Sequence, residues 1–219
     1  MKKTFLFVVI GLLVVGGVVF GISRIFNGDV AKTQQPAAQP KQTVAKADLQ
    51  GTENKDGHKT LVVYYSLTGN TKQIAQHIHD LVAGDMFELR TVQTYPENHQ
   101  TLIEQAKKEL ADGYLPELQG KLTNLSDYDV IYIGSPIWWG TDAPAVRTFL
   151  SQNDLSGKTV IPFVTHASVA RNGGPGSGVP DIASQAKGAK TLEGMHFYED
   201  KVGDKQAVAD WLKRIGMLK

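Results

Sequence analysis

The stretch Leu61-Val62-Val63-Tyr64-Tyr65-Ser66-Leu67-Thr68-Gly69-Asn70-Thr71 decides the fold. Its first five residues are β-branched, aliphatic or aromatic, and so short an apolar run favours a buried parallel strand over a helix. Apolar residues then recur at helical spacing, namely Ile74, Ala75, Ile78, Leu81 and Val82. The pattern therefore predicts a strand, a polar loop and a helix, in that order.

The polar loop has the composition of a phosphate-binding turn. Ser66, Thr68, Asn70 and Thr71 are neutral hydrogen-bonding residues that surround Gly69. The N-terminus of a helix presents free backbone N–H groups, and the helix dipole favours an anion there, so a phosphate needs no lysine at this position. The alternative is that Ser66 or Thr68 caps the helix while Gly69 and Asn70 only turn the chain.

The N-terminus predicts a membrane segment. Lys2 and Lys3 precede an uncharged apolar run, Phe5–Ile22, whose 18 residues would span roughly 27 Å as a helix. We interpret residues 1–26 as an anchor; the alternative is a cleaved signal, although no small-residue cleavage site follows. Because positive charge concentrates before the run, the domain that follows is predicted to lie outside the cytoplasm, and the opposite topology remains an alternative.

Residues 27–57 are predicted to form a disordered linker, since they are polar, lack aromatic residues and contain few large apolar side chains. The remaining residues, 58–219, contain 16 Lys and Arg against 18 Asp and Glu, so this part shows no basic excess that would indicate nucleic-acid binding. The chain has no cysteine, which excludes disulfides, Cys-ligated metals and a thiol nucleophile.

Residues 58–219 alternate strand and helix patterns and are expected to form one domain. Five strands are predicted, around Leu61–Tyr65, Met86–Leu89, Val130–Ile133, Val160–Val164 and His196–Tyr198. Helical patterns lie between them and after the last, which indicates a doubly wound parallel sheet covered by helices on both faces. Pro162 lies inside the fourth strand and predicts a local irregularity, because proline cannot donate to a neighbouring strand.

Ligands of such sheets bind outside the carboxyl ends of the strands, which selects three loops. The first is Ser66–Thr71, and the second is Ser135–Thr141, which contains the adjacent residues Trp138 and Trp139. The third is 165–178, which is rich in glycine. The tryptophans predict either an aromatic wall of a ligand site or a packing interface. The loops contain no acid–base pair, metal-ligand cluster or nucleophile, so we predict no catalytic or metal-binding residue.

The first two loops carry a family resemblance. Ser66-x-Thr68-Gly69-Asn70-Thr71 after an apolar strand resembles the FMN phosphate loop of flavodoxins, and Pro136-Ile137-Trp138-Trp139-Gly140 is similar to a flavin-flanking loop of flavodoxin-like proteins of the Gram-positive type. The resemblance implies a five-stranded sheet in the order 2-1-3-4-5 and FMN as the cofactor. The FMN-binding residues that it implies are Ser66, Leu67, Thr68, Gly69, Asn70, Thr71, Pro136, Ile137, Trp138, Trp139, Gly140, Thr165, His166, Ala167, Ser168 and Gly174.

The resulting functional hypothesis is an FMN-binding electron carrier, held at the cell membrane by a single span and serving a redox partner protein or a small electron acceptor. One alternative is an NAD(P)H-dependent quinone or flavin reductase on the same fold, and another is a binding module without redox activity. Cleavage of the N-terminal segment would make the domain a secreted protein.

Overall fold

The computed structural model describes residues 57–167 and 176–219. The predicted anchor at 1–26, the predicted linker up to residue 56, and the predicted site residues Ser168 and Gly174 lie outside the described residues. In the part that is described, no helix combines the length and the apolar composition needed to cross a bilayer.

Seven strands and five α-helices follow one another within residues 57–167 and 176–219. In order, they are β1 (Thr60–Tyr65), α1 (Asn70–Val82), β2 (Asp85–Leu89), α2 (His99–Asp112), β3 (Val130–Trp138), β4 (Thr141–Asp142), α3 (Pro144–Gln152), β5 (Thr159–His166), α4 (Gly178–Gln185), β6 (Lys190–Thr191), β7 (Met195–Tyr198) and α5 (Lys205–Arg214). Short 3₁₀ helices precede β3 and follow β7. The predicted alternation of strands and helices is confirmed.

The predicted parallel α/β sheet is confirmed, but its predicted number of five strands is wrong. The main path runs β2-β1-β3-β5-β6, and all of these neighbours are parallel. β7 also pairs with β5 in parallel, so β6 and β7 together occupy the single edge position expected for a fifth strand. β4 is a further strand that pairs antiparallel with β3.

Pro162 explains the division of the edge strand. Lys158 and Val160 accept hydrogen bonds from Lys190 and Leu192 of the edge segment, at 2.8 and 3.0 Å. Alternate residues of a parallel strand face the same neighbour, so Pro162 faces this edge as well and has no N–H to donate. The edge strand is interrupted there, and pairing resumes where Phe163 meets Met195. The irregularity predicted from Pro162 is therefore confirmed.

Side chains from the two faces of the sheet form two buried clusters. Val62 and Tyr64 point toward the face covered by α1 and α5, where Trp211 is fully buried. Leu61 and Val63 point to the opposite face, which α3 and α4 cover. Because β1 pairs in parallel with β3, and β3 with β5, the carboxyl ends of these three strands lie at the same edge of the sheet.

The third strand is longer than the sequence predicted. Val130–Ile133 was expected to end before a loop at Ser135–Thr141, but β3 continues to Trp138 and turns directly into β4. The chain reverses through Trp139 and Gly140, whose φ angles are +50° and +83°. Two positive φ angles are what a two-residue type I′ hairpin requires, so the predicted loop is a β-hairpin.

Candidate functional site

The predicted phosphate-binding turn lies between β1 and α1, and Ser66 organises it. The Ser66 Oγ accepts the backbone N–H of Gly69 at 3.1 Å and that of Lys72 at 3.2 Å. Gly69 is the N-cap of α1 and has a φ of +95°, a left-handed conformation that glycine adopts without a steric penalty. The turn therefore presents the start of α1 at the carboxyl edge of the sheet.

The start of α1 has the properties of an anion site. The first four N–H groups of a helix, counted from the N-cap, have no partner within the helix, and the Ser66 hydroxyl accepts two of them, those of Gly69 and Lys72. Thr68 is exposed and Asn70 is half-buried. The first turn contains no acidic residue, so no negative side chain in it would repel an anion bound at the positive end of the helix dipole. Ser66 therefore acts as a partial cap, and donors remain that fit a phosphate group.

Thr71 links this turn to a second strand end. It is 1% exposed, and its Oγ lies 2.8 Å from the Oγ of Thr165 at the end of β5. Either hydroxyl can donate, so the Thr71 Oγ can accept from Thr165 while donating elsewhere. The structure thus brings together two residues that the sequence placed in separate predicted loops.

Two cations share one carboxylate beside the turn. The Lys72 Nζ lies 3.7 Å from a Glu88 carboxylate oxygen, and the Arg90 guanidinium donates to the same oxygen at 2.8 Å. Both cationic side chains are more than half exposed, so these ion pairs contribute only about 0–1 kcal/mol each. The local charge is positive by one unit, which favours a phosphate.

The two predicted wall tryptophans point in different directions. Trp138 packs edge-on against Tyr95, with ring centroids 4.8 Å apart, and against Tyr65 at 5.7 Å. Trp139 is 56% exposed, its indole N–H donates to the Ile103 carbonyl at 3.1 Å, and the Lys107 ammonium lies 5.2 Å from its ring centre. One indole therefore joins the core beneath the hairpin, and the other is held against α2.

Trp139 has a backbone conformation that favours glycine, and this gives a stability prediction. We expect Trp139→Gly to be more stable than Trp139→Ala by about 1 kcal/mol, because both lose the indole but only alanine retains the steric cost of a positive φ. Urea unfolding of both variants measures the difference. Gln76, exposed within α1, is the control site, where the alanine variant should be the more stable. An alanine variant at least as stable at position 139 would contradict the left-handed turn.

The end of β5 carries a histidine pair. His166 is 7% exposed, and its Nε2 lies 3.3 Å from Nδ1 of His196 on β7. The ring of Tyr198 lies 4.2 Å from that of His166. The predicted site residue Ala167 is exposed next to this pair. The third predicted loop therefore begins beside polar side chains and one aromatic ring, and this ring belongs to Tyr198 of β7.

The histidine pair predicts a pH-dependent stability. Burial, together with the neighbouring His166, lowers the pKa of His196. A depressed pKa in the folded state gives stability that is present above the ordinary histidine pKa and lost as pH falls through the folded-state value. We expect the thermal midpoint to fall between about pH 8 and pH 5, and to fall less in His196→Asn. Identical pH profiles of the native chain and the variant would show that His196 contributes nothing.

A cavity of about 420 Å³ lies away from these residues. It is lined by Leu150, Ser151, Asn153, Asp154, Leu155, Ser156, Gln185 and Lys187, none of which belongs to the predicted site. Within residues 57–167 and 176–219, no group of three or more His, Asp or Glu side chains is placed to hold a metal ion.

The sequence analysis missed several polar residues at this edge. Asp142 is fully buried at the end of the hairpin, and Arg147, Asp181 and Gln185 contact it or its neighbour Thr141. These residues come from β4, α3 and α4, and their spacing in sequence matches no recognisable motif. The one available signal was an aspartate immediately after a turn and before an apolar helix.

Comparison with known proteins identifies relatives over the whole described domain. The profile of the family described as flavodoxin matches residues 59–215. A protein from Bacteroides uniformis ATCC 8492 with the provisional description of a flavoprotein is 30% identical; the match has a TM-score of 0.61 and covers 71% of this chain and 98% of that one. A similarly described protein from Bacteroides eggerthii DSM 20697 is 28% identical, with a TM-score of 0.62 and coverage of 72% and 98%.

A third solved structure contains a ligand. It is a flavoprotein from Lactobacillus acidophilus NCFM in complex with FMN, 25% identical to this chain, with a TM-score of 0.56. The match covers 68% of this chain and 99% of that one. Each of these three matches covers 98% or more of the solved relative.

Proposed function

Because the chain belongs to the flavodoxin family, we propose that it binds FMN at the carboxyl edge of the sheet and acts as an electron-transfer protein tethered to the membrane. The observation that carries the proposal is the turn from Ser66 to Thr71, which combines a helix N-terminus with uncharged hydroxyl and amide donors. The FMN complex of the Lactobacillus acidophilus relative supports the choice of ligand.

The phosphate of FMN would bind at the start of α1. The backbone N–H groups of Asn70 and Thr71 and the hydroxyls of Thr68 and Thr71 supply donors, while Ser66 fixes the shape of the turn. Hydrogen bonds to a charged acceptor are about twice as strong as neutral ones. Lys72 and Arg90 lie outside this donor set and add a positive field without direct contact being required.

The isoalloxazine would lie between the hairpin Pro136–Gly140 and the residues Thr165–Ala167. Bound FMN supplies the redox chemistry, and the chain provides binding and orientation. The packing of Trp138 onto Tyr95 would restrict movement of the hairpin. A rigid wall reduces the entropy lost when the ligand binds.

We further propose that Phe5–Ile22 anchors the chain and that residues 27–57 act as a spacer. The support is the length of the apolar run and the charge that precedes it. Alkaline washing of membranes is the test: the full chain should remain in the membrane fraction, and a chain lacking residues 1–26 should not. Release of the full chain would contradict an anchor.

Flavin absorption tests the main proposal. We expect the purified full-length chain, incubated with excess FMN and freed of unbound ligand, to keep a flavin spectrum in the visible region. A colourless chain would contradict FMN binding and would favour the module without redox activity. A chain that binds FMN but does not exchange electrons with a chemical reductant would contradict the redox role.

An NAD(P)H-dependent reductase on the same fold is the second candidate. It is favoured by one observation: residues 165–178 contain no Phe, Tyr or Trp that would cover the flavin, and a reductase needs one face of the flavin free for a nicotinamide. Anaerobic addition of NADH or NADPH to the FMN-loaded chain separates the two. Rapid bleaching supports the reductase, whereas bleaching by dithionite alone supports the carrier.

A further inference from the structure

Asp142 is a fully buried carboxylate at the base of the hairpin. Its Oδ1 accepts from the Arg147 Nε at 3.3 Å, and its Oδ2 accepts from the Gln185 Nε2 at 3.2 Å. Burial raises the pKa of Asp142, and the Arg147 guanidinium acts in the opposite direction. An isolated buried charge is costly, so these partners determine where the carboxylate can lie.

Thr141 extends this contact toward α4. Its Oγ accepts from the Arg147 Nη2 at 2.6 Å, lies 3.1 Å from the Asp142 Oδ1, and is hydrogen-bonded to Asp181. Gln185, one turn further along the same helix, donates to both the Asp181 carbonyl and the Asp142 carboxylate. The last two residues of the hairpin are therefore tied to α4 by two side chains, Asp181 and Gln185, and to α3 by Arg147.

A second contact between the hairpin and the start of α4 lies at the tip of the hairpin. The backbone N–H of Ser177 donates to the Gly140 carbonyl at 2.6 Å, and the Ser177 Oγ donates to the same oxygen at 3.2 Å. Gly176 packs so closely here that a Cβ on it would lie 2.1 Å from that oxygen. The segment leading into α4 is therefore held directly against the tip of the hairpin.

From these contacts we infer that Asp142 is a positioning residue that holds the hairpin 136–142 against the start of α4, so that both form one wall of the FMN site. The inference rests on the proposed function, since it assigns the wall to the flavin ring. It assigns Asp142 no contact with the ligand. The residue acts through Thr141 and Gly140, and its effect should therefore concern the ring of the flavin and not its phosphate.

The test compares FMN with riboflavin, which has the same ring and no phosphate. In Asp142→Asn one oxygen becomes an NH₂ that must face either the Arg147 or the Gln185 donor, so one of the two contacts is lost. We expect both flavins to bind roughly tenfold or more weakly, the loss typical of a hydrogen bond to a charged group. The ratio of the two affinities should stay within about twofold of the native ratio, as for independent sites.

Two further variants make the result specific. Thr141→Val keeps the shape of a half-buried side chain and removes its three hydrogen bonds, so it should weaken both flavins in parallel even if Asp142→Asn fails to fold. Thr148→Val is the matched control, because it removes a buried hydroxyl of α3 that donates to Pro116 and Pro144 and does not contact the hairpin. It should lower the thermal midpoint without changing either affinity.

Three results would overturn the inference, provided that the native chain binds FMN. They are unchanged affinities in Asp142→Asn and Thr141→Val, a loss confined to FMN, or an equal loss of both flavins in Thr148→Val. A native chain that binds neither flavin would instead contradict the proposed function, so the two failures are distinguishable.

Discussion

Replacing Thr68 and Thr71 together by valine should weaken FMN binding by roughly a hundredfold or more. Each hydroxyl is proposed to donate to the phosphate, and a hydrogen bond to a charged group contributes about 1.5–3 kcal/mol. Valine retains the shape of threonine; Thr68 lies in the turn before α1, and Thr71 lies in the first turn of the helix. Titration with FMN, followed by flavin fluorescence, measures the loss.

Riboflavin and a third variant are the controls for this prediction. Riboflavin lacks the phosphate, so its affinity should be the same for the native chain and the double variant. Thr165→Val breaks the same buried hydrogen bond as Thr71→Val, at 2.8 Å between the two hydroxyls, but leaves the Thr71 hydroxyl in place for the phosphate. Thr165→Val should therefore lose the folding stability that this hydrogen bond contributes, but its FMN affinity should fall less than that of the double variant. Equal weakening of both flavins in the double variant would contradict a phosphate contact.

The turn between β1 and α1 was predictable because its signals are local. The strand is marked by five consecutive apolar residues, the helix by the spacing of its apolar residues, and the turn by a glycine among polar residues, which the structure places at a φ of +95°. Each of these signals comes from residues that are close together in the sequence. The family resemblance added the ligand, and the match to the flavodoxin profile confirms the family.

The hairpin at Trp139 and Gly140 was not predictable in the same way. Asparagine or glycine usually occupies the first position of a type I′ turn, and a tryptophan there gives no turn signal. The structure maintains it through contacts with α2 that are distant in sequence, namely the Ile103 carbonyl and Lys107. Tertiary contacts of this kind override local propensity, and a strained residue kept at a candidate site is consistent with a functional role for the hairpin.

The division of the edge strand shows how far a local signal reaches. Pro162 indicated an irregularity, but not which neighbour would show it, because that depends on the direction in which each residue of β5 faces. Likewise, the buried Asp142 takes its partners from α3 and α4, so no pattern within any one segment could reveal the network. Register and tertiary partners are the information that a single sequence lacks.

Gly134→Ala should destabilise the fold by about 1–3 kcal/mol, the usual cost of overpacking a dense interior. Gly134 lies in the middle of β3, between Tyr64 of β1 and Phe163 of β5. A Cβ at this position would lie 2.2 Å from the Cζ of Phe163, a distance that real atoms do not adopt. Because Phe163 is itself fully buried, its ring has no free space to enter. Urea unfolding of the ligand-free chain measures the cost.

Gly203→Ala is the matched control for this prediction, since the nearest atom to its Cβ would be the Gln73 Nε2 at 3.7 Å, an ordinary contact. It should be neutral or stabilising by about 0.4–1 kcal/mol, because alanine restricts the unfolded chain. Adding Phe163→Leu to Gly134→Ala should cost less than the sum of the two single changes, since the new methyl then occupies space that the ring has left. If the two costs are additive, the Phe163 ring is not what excludes a side chain at position 134.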